Sequence, residues 1–133
     1  MFFIKKLDAL HYKSAADIYE SAFDINCPLS RTWRYRSPLL SLGVCNKEGD
    51  LLGFSLAIGD HILYLAVHPF FQRKGVGTFL LQNILALSKM YRLSITLEPL
   101  EDVVPWYIAN GFRKTSNNNM VYHNYFTRQK TTH

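Results

Sequence analysis

The stretch from Leu65 to Leu81, LAVHPFFQRKGVGTFLL, constrains the fold more than any other part of the chain. An apolar strand ending at Val67 breaks at His68-Pro69, passes through a basic, glycine-spaced turn, Gln72-Arg73-Lys74-Gly75-Val76-Gly77, and feeds an amphipathic helix near Thr78. Strand, turn and helix in that order predict an anion cradle. Glycines let backbone N–H groups approach a ligand closely, and the first turn of a helix adds unpaired donors and a positive dipole end. Two other phosphate loops are excluded. A Rossmann turn needs a third glycine where Leu80 stands, and the lysine and Ser/Thr pattern of a P-loop is absent.

Around this stretch the chain reads as alternating short elements. Phe2 to Leu7 forms a first strand, and Asp8 caps a helix whose apolar stripe runs Leu10, Ala15, Ile18, Tyr19, Ala22 and Phe23. Phe23 to Ser30 is a loop, and Ser30 caps a short helix, Arg31 to Arg36, ended by Pro38. Leu39 to Cys45 and Leu51 to Ile58 form a hairpin, and the Gly59-Asp60 turn leads into the strand His61 to Val67. The main helix, Val76 to about Tyr91, offers Phe79, Leu80, Ile84, Leu87 and Met90 as an apolar face. Leu93 to Leu97 is a strand and Val103 to Asn110 a helix stopped by Gly111. Phe112 to Thr115 and Met120 to Phe126 make a last hairpin, and residues 127–133 a frayed tail. The order βααβββαβαββ implies an α/β fold: one mixed sheet with helices on both faces.

Composition limits what such a domain binds. The 133 residues suffice for a single core, and a 48% hydrophobic, 19% charged chain is ordinary for a globular domain. No apolar run reaches the roughly 20 residues of a membrane span, and MFFIKK places its charges in the wrong order for a secretory signal. A cytoplasmic protein with no membrane partner is expected. Cys27 and Cys45 make neither a metal set nor a disulfide framework and read as reduced thiols. The net charge of +5 favours anionic partners, but the basic residues are dispersed, so a phosphate-rich cofactor suits the charge better than nucleic acid.

The cradle, with Gln72, Gly75 and Gly77 in a Q/R-x-x-G-x-G/A pattern, resembles the acyl-CoA loop of the GNAT acetyltransferase superfamily. VVPWYIANGF, Val103 to Phe112, resembles that family's second signature, and the element order is the same. Shorter motifs resemble the arylalkylamine (serotonin) N-acetyltransferases: Cys27-Pro28-Leu29, the run Pro38 to Gly43, His61 with Leu65-Ala66-Val67-His68, and Glu101-Asp102 with Val104 to Tyr107. The chain departs from that group in its shortened loops, in Leu63 where a second histidine stands, and in Trp106 in place of Phe.

The resemblance implies acetyl transfer from acetyl-CoA to a primary amine by direct attack, with no covalent intermediate and no metal. It places the cofactor against Leu65, Ala66, Val67, Gln72, Arg73, Lys74, Gly75, Val76, Gly77 and Thr78. An alkyl ammonium, pKa ~10.4, must lose a proton before attack. His61 is the candidate base, sharing by strand alternation a face with Leu63, Leu65 and Val67, while Glu98 and Asp60 are weaker candidates. The resemblance makes Tyr107 the acid that protonates the leaving thiolate, and it assigns Phe23, Pro28, Leu29, Ile62 and Trp106 to the amine pocket. Acidic residues are sparse, which favours a monoamine with an apolar or aromatic arm, or a peptide amine. The alternatives are a protein or peptide N-acetyltransferase and a non-catalytic CoA-binding module; a homodimer is compatible with either.

Overall fold

The computed structural model describes residues 1–23 and 28–123, so Cys27, Asn26 and the tail lie outside the described residues. The elements run β1 (Phe3–Lys6), α1 (Tyr12–Ala22), α2 (Ser30–Trp33), β2 (Leu42–Cys45), β3 (Leu51–Ile58), β4 (His61–Val67), α3 (Val76–Tyr91), β5 (Ile95–Leu97), α4 (Val104–Ala109), β6 (Arg113–Lys114) and β7 (Met120–Tyr122). The strands form one seven-stranded sheet in the order β1-β2-β3-β4-β5-β7-β6. It is mixed because β4 and β5, joined through α3, run parallel while the other neighbours are antiparallel.

Each face of the sheet buries its own core. Leu42, Val44, Ile62, Ile95 and Leu97 pack under α3 and α4, and Phe54, Leu56 and Ala66 pack under α1 and α2. The main helix turns in Val76, Leu80, Leu81, Ile84 and Leu85, whereas Met90, expected on its apolar face, is 70% exposed. α3 reaches the sheet closely because Gly53 lies beneath it: a Cβ there would stand 2.9 Å from the Ala66 carbonyl oxygen and 3.1 Å from Val76.

Local chemistry moves several boundaries. The Asp8 carboxylate accepts from the Leu10 N–H and the Asp8 N–H donates to His11 Nδ1, but this capping box opens a 3-10 turn before α1, leaving Leu10 90% exposed rather than on the apolar stripe. Ser30 lies within α2, not at its cap. β2 begins at Leu42 instead of Leu39, since buried serines take over the bonding there. The Ser55 hydroxyl donates to the Leu40 carbonyl and accepts from the Leu42 N–H, and the Ser41 hydroxyl accepts from the Ala57 N–H.

A register shift in β4 matters most for the site. Leu56 pairs with Tyr64 and Ala57 with Ile62, so Leu63 has no partner in β3 and forms a bulge. A one-residue insertion reverses facing. His61 therefore points to the α1/α2 side with Ile58 and Tyr64, not to the α3 side with Leu65 and Val67.

Candidate active site

β4 and β5 pair only through His61–Thr96 and Ile62–Leu97. Beyond that point they part, and a cavity of about 680 Å³ occupies the gap. Its wall includes Ile62, Leu65 and Val67 from one face of the sheet and Tyr64 and Ala66 from the other, so it passes through the sheet. The edge-facing N–H groups of β4 past Ile62 have no strand partner in β5.

The cradle closes one side of this cavity with Gln72, Arg73, Gly75, Gly77 and Thr78. Gly75 has φ 89° and Arg73 has φ 63°, a left-handed geometry that costs an ordinary residue about 1 kcal/mol or more. Alternating these with ordinary residues curls the chain so that successive N–H groups converge. Among the described residues none of the backbone N–H groups from Arg73 to Thr78 donates a hydrogen bond; the ladder of α3 begins with Phe79 donating to Gly75. The Gln72 side-chain amide donates to the Val67 carbonyl at 3.3 Å, tying the turn to the end of β4. Unclaimed donors, a helix N-terminus and the Arg73 guanidinium fit a diphosphate such as that of CoA.

Tyr107 closes the gap from α4. Its ring is 6% exposed, held edge-on by Trp106 and Phe112 at 4.9 and 5.3 Å between centroids. Its hydroxyl has no hydrogen-bond partner among the described residues, yet no buried side-chain oxygen is left both sealed and unpaired, so the hydroxyl opens into the cavity that Tyr107 lines. Burial pushes its pKa from 10.0 up to about 12 by penalising the phenolate. At neutral pH it is a neutral O–H donor.

Trp106 lies over the start of α3, where a Cβ on Gly77 would meet its indole at 3.9 Å. Across the cavity, Phe23 and Tyr64 are 5.4 Å apart between ring centroids, and the Tyr19 hydroxyl donates to that of Tyr64 at 3.4 Å. Glu98, Pro99, Leu100 and Asp102, which follow β5, complete the wall, with Ser21 and Ala22 at the end of α1.

The structure thus gathers Phe23, Ile62, Leu65, Ala66, Val67, Gln72, Arg73, Gly75, Gly77, Thr78, Trp106 and Tyr107 at one cavity. It does not bring the others there. His61 stands at the closed, paired end of β4 and β5, outside the lining, and its Nδ1 pairs with the Thr96 hydroxyl at 2.8 Å. Leu29 is 2% exposed inside the α1/α2 core with Trp33, and Pro28 is a surface residue; the short α2 places both outside the pocket. Val76 points beneath α3 into the core, and the Lys74 ammonium stands 5.9 Å over the Phe71 ring instead of lining the cavity. Asp60 stays in its turn, while Glu98 stands on the wall. Tyr64 and Asp102 also line the cavity, the first with no local signal and the second known from sequence only as part of the Glu101-Asp102 motif, without a site role. Ordinary alternation sets Tyr64 on the face opposite Leu65 and Val67, so only a cavity that passes through the sheet brings them together, and Asp102 joins the wall through the turn that follows β5.

Residues 38–114 match the acetyltransferase (GNAT) domain family. The fold is similar to that of the ribosomal-protein-S18-alanine N-acetyltransferase from Escherichia coli, at 17% identity over 92% of this chain and 94% of that one, TM-score 0.78. It is also similar to Ard1 from Thermoplasma volcanium, at 21% identity over 92% and 97%, TM-score 0.74. Arabidopsis thaliana Naa50 in complex with the bisubstrate analogue CoA-Ac-MVNAL matches at 12% identity over 90% and 95%, TM-score 0.72. At such identities the likeness is one of fold. No curated protein matches the chain. The family match carries the superfamily resemblance and stops there; the arylalkylamine resemblance rests on the short motifs alone.

Proposed function

The chain belongs to the GNAT acetyltransferase family, and on that premise we propose that it moves an acetyl group directly onto a primary amine held in the gap between β4 and β5, with a small arylalkylamine-like monoamine as acceptor. Acetyl-CoA, the acyl donor of the family, supplies the thioester when bound. The open hydroxyl of buried Tyr107 at the head of the strand gap is the observation that carries this reading.

The roles follow from placement. The N–H groups of residues 73–78 and the Arg73 guanidinium hold the diphosphate. Unpaired N–H groups of β4 near Leu65 to Val67 receive the thioester oxygen as it gains charge. Glu98, the wall carboxylate just beyond the β4–β5 pairing, takes the proton from the amine nitrogen, directly or through water, in place of His61. A C–N bond forms, the C–S bond breaks, and the Tyr107 O–H gives its proton to the departing sulfur. The rings of Phe23, Tyr64 and Trp106 support an acceptor with an aromatic arm. A peptide amine is the second reading, supported by the fold shared with the S18-alanine enzyme and with Naa50.

Thiol release from acetyl-CoA tests both. We expect turnover of phenethylamine and tryptamine. Turnover of short peptides with none of these amines would move the acceptor to the second reading, and no turnover of either would overturn the proposal.

A further inference from the structure

We infer that the acceptor carries no carboxylate beside its amine: it is a simple amine, or a chain-terminal amine flanked by a neutral amide, and free amino acids are rejected. The inference rests on the acetyl-transfer reading above and adds to it a restriction on charge.

The cavity is electrically polarised across the strand gap. On the β4 side stand Arg73 and the N-terminal turn of α3, both positive. On the β5 side stand Glu98 and Asp102, both exposed and both lining the wall. Neither is neutralised: among the described residues no lysine, arginine or histidine nitrogen stands within ion-pair distance of either carboxylate. Ser21 and Ala22, which end the eleven-residue α1, bring the negative end of that helix to the same cavity. The ring faces of Tyr64 and Phe23 are negative as well.

An ammonium entering against these groups is attracted by all of them. An amino acid must also place a carboxylate within a few ångströms of its nitrogen. Arg73 is the only cationic side chain lining the cavity among the described residues, and the cradle commits it to the diphosphate. A carboxylate next to the reacting nitrogen thus meets two like charges and no partner. Amidating that carboxylate removes the conflict while preserving the shape, so the discrimination is one of charge and not of size.

Three probes that share a phenethyl arm, the last two of one shape, test this on the full chain: phenethylamine, L-phenylalanine amide and L-phenylalanine, compared by kcat/KM with saturating acetyl-CoA, whose binding is read separately as a thermal shift. We expect the amide to exceed phenylalanine by about 100-fold or more. In the Glu98→Gln/Asp102→Asn variant that ratio should fall at least tenfold, whatever the common loss of rate. Phenylalanine turned over within tenfold of its amide overturns the inference, and so does a ratio that the double variant leaves unchanged. If acetyl-CoA binds and neither these three amines nor short peptides are acetylated, the reading in the preceding subsection falls and this one with it.

Discussion

A buried phenol with an open hydroxyl keeps its proton because the surrounding protein opposes the anion and no neighbour competes for the hydrogen. Tyr107→Phe should lower kcat by about 100-fold with acetyl-CoA affinity unchanged, since the ring contacts remain and only the proton donor is lost; single-turnover kinetics and a binding titration separate the two effects. An unfolded tyrosine ionises near 10, whereas folded Tyr107 holds its proton to about 12. Between those values the folded state binds more protons than the unfolded one, so stability falls as pH rises through that window. Denaturation between pH 9 and 11 should show this decline in the wild type and a shallower one in Tyr107→Phe. Two further side chains separate competing bases. Glu98→Gln should lower kcat/KM about 100-fold at neutral pH and recover as alkali deprotonates the amine, whereas His61→Gln should stay within about threefold and keep the acidic limb of the pH–rate profile. An acidic limb lost with His61 would restore the imidazole as base.

Among the elements, the turn from β4 into α3 and the bulge within β4 divide the work of making the site. The turn depends on Gly75, whose φ of 89° serves as the left-handed entry to α3. Gly75→Ala should cost about 1–2 kcal/mol in stability and, by turning N–H groups out of the cradle, raise the acetyl-CoA KM by about tenfold. Chemical denaturation and initial rates check the two halves; an unchanged KM in a destabilised protein would show that the N–H groups do not grip the ligand. The bulge at Leu63 changes which residues face which partner. Without it His61 would stand with Leu65 and Val67, as uninterrupted alternation demands; with it, His61 shares the face of Tyr64, which stands beside Phe23.

At the scale of the whole molecule, the sheet holds the site open by leaving β4 and β5 unpaired above Ile62 and Leu97. A cofactor that spans the cradle and the gap must bridge elements the fold leaves apart, so binding should stabilise the entire domain. At acetyl-CoA a hundredfold above its Kd, linkage adds about 3 kcal/mol, a rise in Tm of roughly 10 °C for a chain of this size; a thermal scan with and without ligand measures it. The sequence by itself determined the order of elements and the limits of β3, β4 and α3, and it singled out the glycine-spaced turn and Tyr107 that the fold brings to one cavity. Each of these is written in neighbouring residues, through helical spacing, glycine at a left-handed position, or a short motif. What only the tertiary structure decided is which residues share the cavity. Leu29 and Phe23 lie six positions apart in one stretch read as a loop, yet one is sealed in the α1/α2 core and the other lines the wall. His61 and Glu98 both border the β4–β5 pairing, yet His61 lies at its closed end, held by the Thr96 hydroxyl, while Glu98 lies just beyond the last paired residue and lines the opening. Register shifts and strand separation arise from pairing across the sheet, between segments dozens of residues apart, and no local pattern in either segment records them.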